Sequence, residues 1–137
     1  MGRITVDVTL ANAADIIIAD RGLLSPNKIR KVTIPAIVDT RATRLALPAS
    51  VAKELGLQEK KKIAVEYADG RRAVRPMVSG VWLQLLDRDD TFSALVEPKR
   101  KTALVGAIVM EALDLLADCG RQTVYPRDPE RMTFAAE

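Results

Sequence analysis

The sequence contains no histidine and a single cysteine, Cys119, among its 137 residues. Without histidine, the chain cannot form a Ser-His-Asp or Cys-His catalytic group or a His-ligated metal site. One cysteine can form neither a disulfide within the chain nor a zinc site built from several cysteines. The cysteine usage therefore favours a reducing compartment.

Long apolar runs and aromatic residues are also scarce. The longest apolar run, residues 103–110, is far too short to span a bilayer. The first ten residues alternate polar with apolar side chains and lack the apolar core of a signal peptide. We therefore expect a cytoplasmic protein with no membrane partner. Aromatic residues make up 4% of the chain, which leaves few platforms on which nucleic-acid bases could stack.

The composition that remains is typical of one globular domain. Hydrophobic residues account for 48% of the chain and charged residues for 28%. A count of 21 basic against 18 acidic residues gives a net charge of +3, which permits contact with nucleic acid without indicating it. No linker or shift in composition divides the sequence, so residues 1–137 are expected to form a single domain.

Most of the chain shows the two-residue periodicity of β-strands. Residues 4–10 alternate apolar with polar side chains, and 15–20 is expected to extend that strand or to re-enter its sheet. Loop residues fill 20–30, and Asp69-Gly70 between two alternating runs indicates a hairpin. Many strands with few helices predict a mostly β barrel or sandwich. The other expected strands are 31–40, 81–86, 92–96 and 121–126, with a polar turn at 87–91.

Two segments carry the pattern of an amphipathic helix. Pro48 suits the first turn of a helix of about two turns, and Gly56 suits the position just past its end. A second helix is expected to begin near Gly106 and to end near Gly120. The residues it is expected to bury are Ile108, Val109, Leu113 and Leu116.

The stretch AIVDTRATRLALP, residues 36–48, ends an apolar strand on Asp39. For an isolated Asp-Thr pair, the simplest interpretation is an Asx turn at the end of a strand. Here the first helix, the Asp69-Gly70 hairpin and an apolar-apolar-Gly turn at Gly106 follow in order. This series resembles the retropepsin-like aspartic proteases, whose signature is an apolar run followed by Asp-Thr/Ser-Gly-Ala-Thr/Ser. The similarity covers about residues 3–126, nearly the whole chain.

The resemblance implies a closed, mostly β, retropepsin-like (acid protease) barrel with one or two short helices, assembled as a homodimer. Each subunit of such a dimer gives one catalytic aspartate, here Asp39, to a pair that shares a proton. The pair activates the water that attacks a peptide or protein substrate bound in extended form, and the reaction needs no metal or cofactor.

By the same resemblance, Thr40 would brace the two active-site loops across the dimer axis. The rest of that loop would be Arg41, Ala42 and Thr43. Gly106 would form the second turn. The flap that closes over the substrate would consist of Ala68, Asp69, Gly70 and Arg71.

Arg41 departs from the family pattern, which has glycine at this position. Its positive charge would favour both Asp39 carboxylates as anions, and a pair that cannot hold its shared proton lacks an acid. The leading hypothesis is therefore a retropepsin-type aspartic endopeptidase with little or no activity in its Arg41 form. The alternative is a catalytically inactive dimer of the same fold that binds peptides or proteins.

Simpler interpretations remain open for the hairpin and the basic runs. The turn at 68–71 is explained as well by a surface hairpin as by a flap. The basic runs are typical of solvated turns or protected strand edges, and the scarcity of aromatics argues against nucleic acid as a partner. A third hypothesis nevertheless uses these runs to contact nucleic acid. Its residues are Lys60, Lys61, Lys62, Lys99, Arg100 and Lys101.

Overall fold

A computed structural model of the chain describes residues 3–136. The helices in this range are α1 (Ala13–Asp20), α2 (Ala49–Glu54) and α3 (Ala107–Ala112), with a 3₁₀ turn at Pro26–Lys28. The strands are β1 (Ile4–Asn12), β2 (Lys31–Val38), β3 (Leu45–Pro48), β4 (Glu59–Glu66), β5 (Arg72–Leu85), β6 (Arg88–Glu97), β7 (Ala103–Val105), β8 (Leu115–Asp118) and β9 (Thr123–Pro126).

Six of the strands close into a mixed barrel. Hydrogen-bonded neighbours follow the order β1, β2, β7, β3, β6, β5, and β5 pairs again with β1, which closes the ring. The β2–β7 and β3–β6 pairs are parallel, while the other pairs in the ring are antiparallel. Strand β4 adds to the outside of β5, and β8 and β9 form a separate two-stranded sheet. The predicted mostly β, closed barrel is confirmed.

Apolar side chains at alternate positions of the barrel strands fill its interior. In β5, Val81, Leu83 and Leu85 are buried, whereas Trp82 and Gln84 between them are only half-buried. This is the pleated-strand alternation that the sequence predicted. The helix before Gly56 is confirmed as α2, and the Asp69-Gly70 hairpin lies between β4 and β5 as expected.

The segment 15–20, expected to be a strand, is part of helix α1. The Asn12 side chain accepts a hydrogen bond from the Asp15 backbone N–H at 3.1 Å, which caps the start of the helix. Asp15 is itself buried and forms a two-point ion pair with Arg30, at 2.8 Å and 3.0 Å. Since Arg30 lies beyond the following loop, this contact was not visible in the local pattern of Ile16–Ile18.

The second helix is shorter than expected, because it ends at Ala112 rather than near Gly120. Asp114 has a φ of 55°, a left-handed conformation that stops the helix, and the chain continues as strand β8. Val109 and Leu113 are buried as predicted. The predicted burial of Ile108 and Leu116 is wrong, since they are 39% and 40% exposed.

The turn expected at 87–91 is confined to residues 86–87, and β6 begins at Arg88. Leu86 has a φ of 59°, which allows the chain to reverse in two residues. Arg88 is buried and donates to the carbonyl oxygens of Leu113 and Asp114 at 3.1 Å and 3.0 Å. A charged residue predicted to lie in a turn therefore ties the end of α3 to the barrel.

Across residues 3–136, no helix combines the length and apolar character needed to cross a membrane.

Candidate active site

Asp39 follows the last residue of β2 and is held by the neighbouring strand β7. Its backbone N–H donates to the Val105 carbonyl at 3.0 Å, which continues the parallel pairing of Val38 with Val105. Its side chain is 31% exposed. Strand β7 therefore fixes the backbone of Asp39 and leaves its carboxylate partly accessible to solvent.

The loop after Asp39 is joined to the start of helix α3. The Ala107 N–H donates to the Ala42 carbonyl at 2.8 Å, and the Ile108 N–H donates to the Thr43 carbonyl at 3.0 Å. The first N–H groups of a helix have no partner within the helix, so the loop supplies their acceptors. The predicted second turn and the predicted active-site loop are thus in direct contact.

Gly106 makes this contact close enough to form. A Cβ atom at this position would lie 2.6 Å from the Ala42 carbonyl oxygen and 2.8 Å from the Arg44 carbonyl oxygen. Both of these neighbours are backbone atoms, which cannot swing away as a flexible side chain can. The need for glycine here arises from the close approach of two backbone segments.

Arg41 covers the carboxylate of Asp39. Its Nε donates to Oδ1 at 3.0 Å and its Nη2 donates to Oδ2 at 3.2 Å, while its backbone N–H donates to Oδ1 at 3.0 Å. The hydrogen bonds from the guanidinium contribute most, and together with the backbone hydrogen bond they hold the pKa of the Asp39 carboxyl below its ordinary value. The Arg41 side chain is 91% exposed, so solvent screens the pair.

The other residues of the loop present no further hydrogen-bonding side chain toward Asp39 among those described. Thr40 and Thr43 are exposed, and Ala42 is half-buried. The structure thus brings Asp39, Arg41, Ala42 and Thr43 into one loop against Gly106, and Thr40 in the same loop is exposed to solvent. Their predicted catalytic and bracing roles stay predictions.

A cavity of about 890 Å³ opens beside Asp39. Apolar side chains that include Ile37, Val38 and Leu104 line it, together with the cations Arg3 and Arg41 and the basic segment 99–101. The sequence predicts 99–101 to be a solvated turn or a protected strand edge, or else a contact to nucleic acid, and it gives Arg3 no role. The segment lies beside Asp39 because it precedes β7, which pairs in parallel with β2.

The predicted flap is a well-formed hairpin that lies outside this cavity. The Tyr67 N–H donates to the Arg71 carbonyl at 2.8 Å, and Gly70 has a φ of 86°, as a tight turn requires. Asp69 forms an ion pair with Arg71 at 2.8 Å. Arg71 lines a smaller cavity of about 210 Å³, which shares Lys99 and Arg100 with the larger one. Ala68, Asp69 and Gly70 line neither cavity.

A half-buried polar cluster that sequence reasoning missed fixes the base of the hairpin. The Tyr67 hydroxyl lies 2.8 Å from both carboxylate oxygens of Glu97. The Arg75 Nε donates to Glu97 at 2.8 Å and to the Tyr67 oxygen at 3.1 Å. The three residues come from the hairpin turn, β5 and the end of β6, so no local pattern marks them as a unit.

Of the residues in 3–136 that line the larger cavity, Asp39 is the only one with a carboxylate. Within the described part of the chain, no group of three or more His, Cys, Asp or Glu side chains is placed to hold a metal ion. One subunit therefore offers one carboxylate, held at a strand end and bordered by cations.

A family model described as an aspartyl protease matches residues 25–108 of the chain. The match covers more than half of the sequence and includes β2, the Asp39 loop, the hairpin and Gly106. It confirms the family resemblance that the order of motifs indicated. No curated protein matches the chain.

Proposed function

The chain belongs to the retropepsin-like aspartyl protease family, and from this premise we propose that it is an aspartic endopeptidase that works as a homodimer. Water activated between two Asp39 carboxylates, one from each subunit, would hydrolyse a peptide bond. The observation that carries the proposal is the position of Asp39, fixed by β7 at the edge of a cavity with its carboxylate still partly exposed.

The chemistry requires a second copy of the chain. Two carboxylates in contact cannot both ionise, so one keeps a proton and acts as the acid while the other acts as the base. The cavity of one subunit contains a single carboxylate. In the proposed dimer, the exposed Thr40 of each loop would brace the other loop, and the hairpin at 68–71 would serve as the flap.

We further propose that Arg41 restrains this activity in the unaltered protein. Its guanidinium occupies both oxygens of Asp39 and favours the anion in each subunit, and a pair in which both carboxylates are ionised has no proton to share. Hydrolysis then requires the guanidinium to leave the carboxylate. Low activity is therefore expected, with the fold and the dimer intact.

The same ion pair favours a second candidate function, a catalytically inactive dimer that binds peptides or proteins in its cleft. The two candidates differ in what happens when the guanidinium is removed. An endopeptidase gains activity, whereas a binding module gains none. For either function, the exposed and unpaired Cys119 suits a reducing compartment, and we propose the cytoplasm as the location.

The test is cleavage of a peptide library at mildly acidic pH by the unaltered protein, Arg41→Gly and Arg41→Ala. Arg44→Ala is the matched control, because it removes the same charge from the same loop without a contact to Asp39. We expect Arg41→Gly to gain the most activity, Arg41→Ala to gain part of it and Arg44→Ala to gain none. Adding Asp39→Asn to Arg41→Gly should abolish the gain.

Two measurements accompany the cleavage assay. A carboxyl ¹³C titration should show a higher pKa for Asp39 in Arg41→Gly, since its guanidinium partner is gone. Sedimentation should show a dimer at micromolar concentration, and a monomer would exclude the proposed mechanism. A dimer in which Arg41→Gly raises the Asp39 pKa without any cleavage would support the binding module. Robust, pepstatin-sensitive cleavage by the unaltered protein would show that Arg41 imposes no restraint.

A further inference from the structure

The cavity beside Asp39 concentrates positive charge. Five of its lining residues are cations, and its single carboxylate, Asp39, is already paired with Arg41. Five cations and one carboxylate leave a charge of +4 around this cavity, which exceeds the net charge of +3 of the whole chain. The cations are Arg3, Arg41, Lys99, Arg100 and Lys101.

Four of these cations have no carboxylate partner within ion-pair distance among residues 3–136, whereas some cations elsewhere on the surface have one. Lys62, Arg72 and Arg127, for example, each pair with an acidic residue. Lys99 and Lys101 are exposed toward solvent. The charge around the cavity is therefore available to a ligand.

Arg100 is held in place by backbone carbonyls. Its Nε donates to the Thr102 carbonyl at 3.0 Å, and its Nη2 donates to the Thr102 hydroxyl at 3.2 Å. Burial lowers the pKa of Arg100, the charge of Glu97 raises it, and the nearby charge of Arg3 lowers it further. Two like charges that face one cavity repel each other, and an anion between them would relieve the repulsion.

The other side chains that line the cavity indicate which kind of anionic ligand would fit it. The cavity carries apolar side chains, such as Ile37 and Leu104, and no aromatic ring on which a base could stack. Tyr67, in the neighbouring cavity, has its ring covered by the Arg71 guanidinium at 4.8 Å. A peptide with alternating acidic and apolar side chains matches both the cationic and the apolar parts of this surface.

We propose that the cleft beside Asp39 selects acidic peptides, which it recognises through Arg3, Lys99, Arg100 and Lys101. This inference rests on the proposed function and deepens it by naming the class of substrate. It also gives the basic run at 99–101 a role in peptide recognition. The other basic run, 60–62, lies on the outer strand β4 and lines neither cavity.

The test is fluorescence anisotropy with the full-length protein and two short labelled peptides, one of alternating Glu and Leu and one of alternating Gln and Leu. The two peptides differ only in charge. We expect the Glu peptide to bind about tenfold more tightly, with an advantage that shrinks as salt is added. Equal binding of the two peptides would overturn the inference.

A pair of double variants locates the effect. Lys99→Gln with Lys101→Gln should remove most of the advantage of the Glu peptide, whereas Lys60→Gln with Lys61→Gln should leave it unchanged. The two variants have the same net charge, so an equal loss in both would mean that binding depends on overall charge and would overturn the inference. Circular dichroism confirms that both variants are folded.

Two further outcomes separate this inference from its alternatives. If a labelled oligothymidylate competes with the Glu peptide and loses more affinity in the 99/101 variant than the peptide does, the surface is a nucleic-acid interface and the inference fails. If Arg41→Gly cuts peptides without preferring acidic ones, the inference fails and the proposed function stands. Preferential binding of the Glu peptide without cleavage by any variant would support the inference and refute the endopeptidase.

Discussion

Replacing Gly106 with alanine tests whether the Asp39 loop depends on close backbone packing against α3. The added Cβ would meet the Ala42 carbonyl oxygen at 2.6 Å. To restore ordinary van der Waals contact at 3.4 Å, the two segments would have to separate by roughly 0.8 Å. The loop carbonyls also accept the N–H groups of Ala107 and Ile108, at 2.8 Å and 3.0 Å, so the separation strains or breaks both hydrogen bonds.

The expected cost follows from these two effects. Overpacking a close contact costs about 1–3 kcal/mol. Two weakened hydrogen bonds cost about 0.5–1.5 kcal/mol each. We therefore expect Gly106→Ala to lower the free energy of unfolding by about 2–6 kcal/mol, a large part of the roughly 5–15 kcal/mol that is typical of a folded domain.

Urea unfolding measures this loss directly, with Gly120→Ala as the matched control. A Cβ at Gly120 would lie 3.4 Å from the Oδ1 atom of Asp118, which is ordinary van der Waals contact and requires no movement. The control should change the free energy of unfolding by less than about 0.5 kcal/mol. If Gly106→Ala were as stable as the control, the loop would not rest on α3 as described, and its carbonyls would not be the acceptors for the helix.

Two polar contacts that lie outside the larger cavity give further tests. The hydrogen bonds from Arg30 lower the pKa of Asp15 in the folded protein. The ionised carboxylate therefore stabilises the fold at pH values above its ordinary pKa of about 4. This stabilisation is lost as the pH falls through the lowered pKa of the folded state. Asp15→Asn should weaken the acid dependence of the urea midpoint below about pH 4, and an unchanged dependence would contradict the reasoning. Tyr67→Phe removes the hydroxyl that donates to Glu97. Because the Gly70 N–H donates to the Tyr67 carbonyl, we expect the Gly70 amide to exchange its hydrogen faster in this variant. Unaltered exchange would mean that the contact with Glu97 does not hold the hairpin.

The strands and the position of Asp39 at a strand end were predictable because their signals are local, whereas the closed barrel followed from the family resemblance. Alternating apolar residues marked the strands, and the Asp69-Gly70 pair marked the hairpin turn. The Asp39 loop and Gly106 could be associated only by the order of motifs along the chain. Local periodicity contains no information about which strands become neighbours, so the parallel β2–β7 pairing was not predicted from it.

The errors arose where a distant residue decides the local conformation. Residues 15–20 form a helix, helped by the contact of Asp15 with Arg30 across the next loop. Helix α3 stops at the left-handed Asp114, whose carboxylate accepts hydrogen bonds from Arg127 and from the Thr133 N–H at 3.0 Å. The basic run at 99–101 is exposed at Lys99 and Lys101, as a solvated turn requires, but its position beside the cavity depends on the tertiary fold and could not be predicted from the local pattern.

The pairing of Asp39 with Val105 has a consequence for when the Asp39 loop can fold in a newly synthesised chain. The two residues are nearly half the chain apart. The same is true of the loop carbonyls and of the α3 N–H groups that donate hydrogen bonds to them. Contacts of such long sequence separation form slowly, because a large loop must close first. A chain still on the ribosome therefore cannot order the Asp39 loop until α3 has emerged.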